Sequence, residues 1–212
     1  MKRVVLLTLL ICLSTLFTSC KETEIIPPLP STYEKIQTKL SELQTYRAEA
    51  TVRYISNKGE NEYTIIKYVR RTGEYRIEVI APENVTGNIT VFDGENIYQI
   101  NKNLNLKISL GTNDTKERTQ LLLTSFLANY SNDQETSLAV TSVIDETKFT
   151  VLEAKIPTNH PYMDRQALWI DNETMNPVRV VITNSNGEET IVVTYTTFEY
   201  NIELEDSLFI LE

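Results

Sequence analysis

The chain has 212 residues, and its 20 Lys and Arg against 29 Asp and Glu give a formal net charge of −9. One His and two Cys are too few for a zinc site of clustered ligands, and they leave few candidates for a Cys nucleophile or a Ser-His-Asp triad. An acidic chain without a basic tract is also a poor nucleic-acid binder, because phosphate neutralisation supplies most of that affinity. The composition favours a globular domain that binds rather than catalyses.

The first twenty residues have the pattern of a bacterial lipoprotein signal. Met1-Lys2-Arg3 is a positive start, and the mostly apolar run 4–17 is too short to cross a bilayer about 30 Å thick. The run ends in Leu16-Phe17-Thr18-Ser19-Cys20, which resembles the lipoprotein cleavage box. That resemblance implies cleavage before Cys20 and lipidation of its Sγ. The alternative is a signal peptide with a chance Cys.

These features predict three segments. Residues 1–19 are expected to be the signal peptide, 20–30 the lipidated Cys and a linker, and 31–212 a single domain. Proline-rich residues before position 31 predict a semi-rigid spacer between lipid and domain.

Two helices are predicted from apolar residues at helical spacing. The first covers 32–46, with Ser31 and Glu34 in a capping-box pattern. The second covers 114–130, with a cap between Asp114 and Glu117. The apolar residues that define the two helices are Tyr33, Ile36, Leu40 and Leu43, then Leu122, Leu123, Phe126, Leu127 and Tyr130.

Alternating apolar and polar residues predict about eleven short strands, six before the second helix and the rest after it. They cover 48–54, 63–69, 75–80, 89–92, 96–100, 104–110, 137–144, 148–156, 165–171, 177–184 and 189–199. Asp93-Gly94 and Asn186-Gly187 are hairpin signals. Short strands with tight turns are typical of an antiparallel meander, and so many strands curl rather than stay flat. We therefore predict an α+β fold, a curved antiparallel half-barrel with the helices on its concave face. The terminal segment 206–211 is expected to cover a sheet edge.

This order of elements resembles the LolA/LolB-like superfamily of lipoprotein carriers and receptors. The matching stretches are Tyr46-Arg47-Ala48, 75–79 with Pro82, 91–98, 168–171 with 177–179, and 204–209. Within the superfamily, the cleavage box, the length and the Ile-, Asn- and Thr-rich composition resemble the GerS group of clostridial spore germination lipoproteins.

The resemblance implies a non-catalytic, membrane-anchored lipoprotein required for spore germination. Its partner would be a cortex N-acetylmuramoyl-L-alanine amidase, activated so that muramic-δ-lactam is made in spore cortex peptidoglycan. Zinc is expected in that amidase and no cofactor in this chain. The implied location is a forespore membrane facing the cortex. Open sheet edges would also allow a homodimer, including a strand-swapped one.

The superfamily also supports an alternative function. Its transport members hold acyl chains, so this chain is alternatively a carrier or sensor for lipid or lipoprotein, with the acyl chains in the half-barrel cavity.

The residues themselves single out no catalytic or metal site. His160 lies in a proline-flanked loop and is a candidate general base, a partner contact or an exposed loop residue, beside an Asp164 and Arg165 surface pair. No two carboxylates stand out as an acid–base pair. Tyrosines fall on both phases of the strands, so some are expected to face outward and offer contact area to a protein. Cys20 is the predicted lipidation site, and partner-binding residues are not identified.

Overall fold

A computed structural model describes residues 27, 29–110, 119–132 and 138–210. The predicted signal peptide, Cys20 and most of the linker lie outside the described residues. Within the described ranges the chain forms two α-helices and eleven β-strands, which is the predicted α+β class. The helices are α1 (Pro30–Ser41) and α2 (Leu123–Asn132). The strands are β1 (Thr45–Ser56), β2 (Gly59–Arg70), β3 (Tyr75–Ala81), β4 (Ile89–Phe92), β5 (Ile97–Asn101), β6 (Leu106–Leu110), β7 (Leu138–Ile144), β8 (Thr147–Lys155), β9 (Arg165–Asp171), β10 (Pro177–Thr183) and β11 (Glu189–Tyr200).

The strands form one open antiparallel sheet, curved into the predicted half-barrel. Their order is β6-β5-β4-β3-β2-β1-β11-β10-β9-β8-β7, so every neighbouring pair except β1–β11 is consecutive in the chain. The β1–β11 ladder joins the two meanders, and Tyr46 pairs with Tyr200 at one end of it. Strands β6 and β7 are left as the two edges.

Two predicted hairpin turns are confirmed. Gly94 and Gly187 have φ of 101° and 80°, in the left-handed region that only glycine adopts without strain. Each follows a residue whose side chain suits a tight turn, Asp93 and Asn186. The alternation on either side of these turns then sets which side chains face the inside of the half-barrel.

The first helix differs from its prediction at both ends. Pro30 occupies its first turn and Leu29 is the N-cap without a side-chain cap bond, so the predicted Ser31 capping box is wrong. The helix ends at Ser41 rather than at 46, because Thr45 already belongs to β1. Leu43 is nevertheless buried, since it lies in the connection that carries the chain into the core.

The predicted apolar face of the second helix is confirmed. Leu123 and Phe126 are fully buried, and Leu127 and Tyr130 are half-buried against the same cluster. Its predicted beginning at 114 lies outside the described residues.

The main core lies between the inner, concave face of the sheet and the two helices. The Leu123 N–H of α2 donates to the Tyr46 hydroxyl of β1 at 3.1 Å, and the Tyr33 and Tyr130 hydroxyls lie 2.8 Å apart. These bonds tie both helices to one end of the sheet. The helices therefore stand on the concave face, as predicted.

A second, smaller core lies on the outer face of the sheet. The terminal 3-10 turn Asp206–Phe209 places Phe209 against Ile89 and Val91 of β4. Arg70 holds the turn, with its guanidinium 4.5 Å from the Phe209 ring centroid and 2.6 Å from the Leu204 carbonyl. The expectation that this segment covers an edge is therefore wrong: it covers outward apolar residues of β4, which lies between β3 and β5, and removes them from water.

Candidate functional site: a cavity on the inner face

The helices leave one end of the inner face uncovered, and a cavity of about 680 Å³ lies there. Its wall comes from β1 to β5 and β11, with Leu121 from the turn before α2 and Met163 from the β8–β9 connection. The lining residues are Val52, Tyr54, Asn61, Tyr63, Ile65, Tyr75, Ile77, Val79, Thr90, Gln99, Leu121, Met163 and Ile191.

The chemistry of this wall is mostly apolar. Its polar side chains apart from the tyrosines are Asn61, Thr90 and Gln99. A concave apolar surface of a few hundred Å³ with a few polar groups is the usual form of a small-molecule site. The cavity is thus suited to an apolar, chain-like ligand.

A buried lysine adjoins the cavity. Lys67 faces inward from β2 and is 0% exposed. Its Nζ donates to the Leu121 carbonyl at 2.6 Å and lies 5.4 Å from the centroid of the Tyr195 ring. Its cross-strand neighbour on β1 is Ala48, a small side chain that is also fully buried.

The surroundings of Lys67 disfavour its charge. Desolvation by burial lowers the pKa of Lys67 from its ordinary value of 10.5 to about 7. The same burial raises the pKa of Tyr195, so this neighbour is neutral at physiological pH and supplies no counter-charge. The site therefore holds an amine whose protonation is balanced near neutral pH.

The loop histidine lies apart from this cavity. His160 Nδ1 accepts from the Tyr162 N–H at 3.3 Å, and the two rings are 5.7 Å apart. Met163 of the same loop is buried and lines the cavity. Arg165 lies 3.9 Å from Glu153 on β8. The loop thus contributes to the cavity through Met163, which the sequence analysis did not single out.

The strand tyrosines face both sides of the sheet, as predicted, but most face inward. Tyr54, Tyr63 and Tyr75 line the cavity. Tyr68 packs in the outer core, and Tyr98 lies 5.7 Å from the Lys107 ammonium. The tyrosines therefore shape the cavity more than they shape an outer contact surface.

Two further observations concern the described part of the chain. No group of three or more His, Cys, Asp or Glu side chains there is placed to hold a metal ion. None of the helices found there has the length and apolar character needed to cross a membrane.

The sheet edges offer a different kind of site, made of backbone. Strand β7 has the sequence LAVTSVI, without a charge or a proline, and Val143 and Ile144 are 54% and 48% exposed. Strand β6 carries Lys107 and exposes Leu106 and Ile108. Edges without charge or proline are free to pair with another chain.

The open half-barrel, with helices and an apolar cavity on its inner face, is the architecture that the LolA/LolB-like resemblance implies. The chain belongs to the family of YdcC-like sporulation proteins, whose model matches residues 1–209. The search of curated proteins found no match.

Solved structures are similar to the chain over most of its length. One is an uncharacterized conserved protein from Thermus thermophilus, with a TM-score of 0.55, 13% identity, and 85% of this chain and 94% of that chain covered. Another is a chain in the structure of the CwlD amidase from Clostridioides difficile in complex with the GerS lipoprotein (TM-score 0.49, 25% identity, 81% and 95% covered). A third is the LolA superfamily protein NE2245 from Nitrosomonas europaea (TM-score 0.43, 13% identity, 84% and 97% covered).

Proposed function

We propose that this chain is a non-catalytic, lipid-anchored lipoprotein that binds and activates a cortex N-acetylmuramoyl-L-alanine amidase during sporulation. The observation that carries the proposal is the match of a sporulation family over residues 1–209. The cleavage box at Cys20, the length and the Ile-, Asn- and Thr-rich composition, which resemble the GerS group, supply the class of partner. Activation of the amidase is proposed to be needed for muramic-δ-lactam to be made in spore cortex peptidoglycan.

In this proposal the chain and the amidase have separate roles. Cleavage after residue 19 and lipidation of Cys20 hold the chain on the forespore membrane, on the side facing the cortex. The amidase supplies the zinc and all bond-breaking chemistry. The chain contributes binding energy, which stabilises the active form of the amidase by mass action.

The edge strand β7 is the proposed contact. An added strand from the amidase would satisfy its unpaired N–H and C=O groups, and the exposed Val143 and Ile144 would be covered at the same time. Edge β6 is less suited, since Lys107 must be desolvated beside any added strand.

The experiment mixes the mature chain, with Cys20 replaced by Ser for solubility, with the cortex amidase of the same organism and measures co-elution by size-exclusion chromatography. We expect a stoichiometric complex that Val143→Lys abolishes and the matched β6 variant Ile108→Lys leaves intact. Spores lacking the chain are expected to lack muramic-δ-lactam. Normal muramic-δ-lactam in those spores would overturn the activating role, and loss of binding in the Ile108→Lys variant alone would move the contact to β6.

The apolar cavity favours a second candidate function, that of a carrier or sensor for acyl chains. Its volume of about 680 Å³ is within the range of lipid-sized ligand sites. Mass spectrometry of the protein purified without detergent tests this candidate. Co-purifying lipid at a fixed ratio supports it, and a lipid-free protein that takes up no lipid from vesicles contradicts it.

A further inference from the structure

Lys67 is a buried amine for which no described residue supplies an anionic partner. Its two contacts, the Leu121 carbonyl and the Tyr195 ring, are dipolar or quadrupolar and carry no net negative charge. No carboxylate among the described residues forms an ion pair with it. Burying an ammonium without a counter-charge is costly, so a purely structural position would be filled better by Leu or Met.

The position of Lys67 connects it to the cavity. Its cross-strand neighbour Ile77 and its strand neighbour Ile65 both line the wall. Leu121, whose carbonyl accepts from Nζ, lines the wall as well. Lys67 is therefore buried directly behind residues of the cavity wall, although it does not itself line the cavity. A ligand that contacts Nζ therefore requires rotation of the flexible four-carbon side chain toward the cavity.

We propose that Lys67 is the specificity-determining residue of this cavity and selects single-chain amphiphiles with a carboxylate head group over neutral ones. In the bound state Nζ turns from the Leu121 carbonyl to the ligand carboxylate, and the ligand chain extends along the apolar wall toward Tyr54 and Gln99. Charge complementarity supports this occupant, because a carboxylate supplies the one charge that the site lacks. The inference deepens the carrier function and rests on it; it is independent of the amidase.

The first test compares two probes that differ in the head group alone. Palmitate and hexadecanol are titrated separately, by displacement of a fluorescent lipid, into the delipidated mature chain with Cys20 replaced by Ser. We expect palmitate to bind at least about tenfold more tightly. Equal affinities would overturn the role of Lys67 and leave the carrier function standing. Binding of neither probe would overturn both, and the amidase complex would be unaffected.

The second test uses variants of the lysine. Lys67→Met is expected to remove the preference for palmitate while hexadecanol still binds. Lys67→Arg, which keeps a positive charge at this position, is expected to retain the preference. Lys39→Met is the matched control, since Lys39 also contacts a tyrosine ring (4.3 Å to the Tyr200 centroid), away from the cavity. An unchanged preference in Lys67→Met would contradict the proposal. Hexadecanol affinity and circular dichroism show whether each variant is folded. If Lys67→Met does not fold, the ratio of palmitate to hexadecanol affinity in the wild-type chain tests the proposal alone.

Discussion

The two ends of the inner face of the sheet are built from the same strands but differ in exposure: the helices cover one end and leave the other open. At one end Tyr46 of β1 is fully buried beneath the helices and accepts a hydrogen bond from α2. At the other end of the same strand Tyr54 is 38% exposed at the cavity. Both residues lie on the inward phase of one uninterrupted alternation.

The difference follows from the lengths of the elements. Twelve residues of β1 extend about 40 Å at roughly 3.3 Å per residue, whereas the twelve residues of α1 extend about 18 Å at 1.5 Å per residue. Each helix is therefore much shorter than the strand beneath it. An apolar sheet that is longer than its helical cover leaves a cavity, so the fold contains both a packed core and an open apolar surface.

The largest expected contrast is in stability. Phe126→Ala removes a fully buried ring from the covered end and is expected to lower the free energy of unfolding by about 3–5 kcal/mol. Tyr63→Ala, in the cavity wall, is expected to cost about 1–2 kcal/mol because its ring is half-buried. Urea unfolding measures both. Equal losses would mean that the two ends contribute alike.

The lowered pKa of Lys67 predicts that the free energy of unfolding rises with pH. Its pKa is about 7 in the folded chain and about 10.4 when unfolded, so between these values the unfolded state binds more protons and stability rises with pH. Relative to Lys67→Met, the wild-type chain is expected to gain about 2 kcal/mol from pH 7 to pH 9. The measurement is urea unfolding of both proteins at several pH values. A constant difference would show that Lys67 has an ordinary pKa.

A smaller difference in stability is expected between two residues of the loop that joins β8 to β9. Met163→Ala is expected to cost about 1–2 kcal/mol, since its side chain is in both the core and the cavity wall. His160→Ala, three residues earlier, is expected to change stability by less than about 0.5 kcal/mol. Thermal unfolding of the pair measures this. A larger effect of His160 would indicate a structural role for the imidazole.

The smallest expected effect is an increase in stability. Thr90→Ile adds an apolar group inside the cavity while keeping a β-branched side chain, and we expect about 0.5 kcal/mol of stabilisation. The same change on the outer face, Thr194→Ile, is expected to give no gain because that position is exposed. Urea unfolding and hexadecanol binding are the measurements. Unchanged ligand binding by Thr90→Ile would place the ligand elsewhere.

The sheet could be predicted from the sequence, because alternation is a local signal that the final packing preserves. The end of α1 could not, since Leu43 continues the helical spacing and is buried, yet it belongs to the connection into β1. The cavity also could not be predicted, because inward residues such as Val52 and Val79 have the same pattern whether or not a helix covers them. Lys67 was detectable, as it shares the inward phase with Ile65 and Val69. A charged residue in an inward row was the signal for the candidate site.

The single ladder between β1 and β11 also determines how the chain must fold. Every other strand pair is local, but the Arg47–Glu199 pair joins residues 152 positions apart. Closing so long a loop is slow, and proteins with such contacts fold slowly. The two meanders can form early and separately, whereas the seam between them forms only after the last strand has been synthesised. We expect pulsed hydrogen exchange to find the amides of the β1–β11 seam protected last, and until that moment β1 is an unpaired sheet edge that other chains can reach.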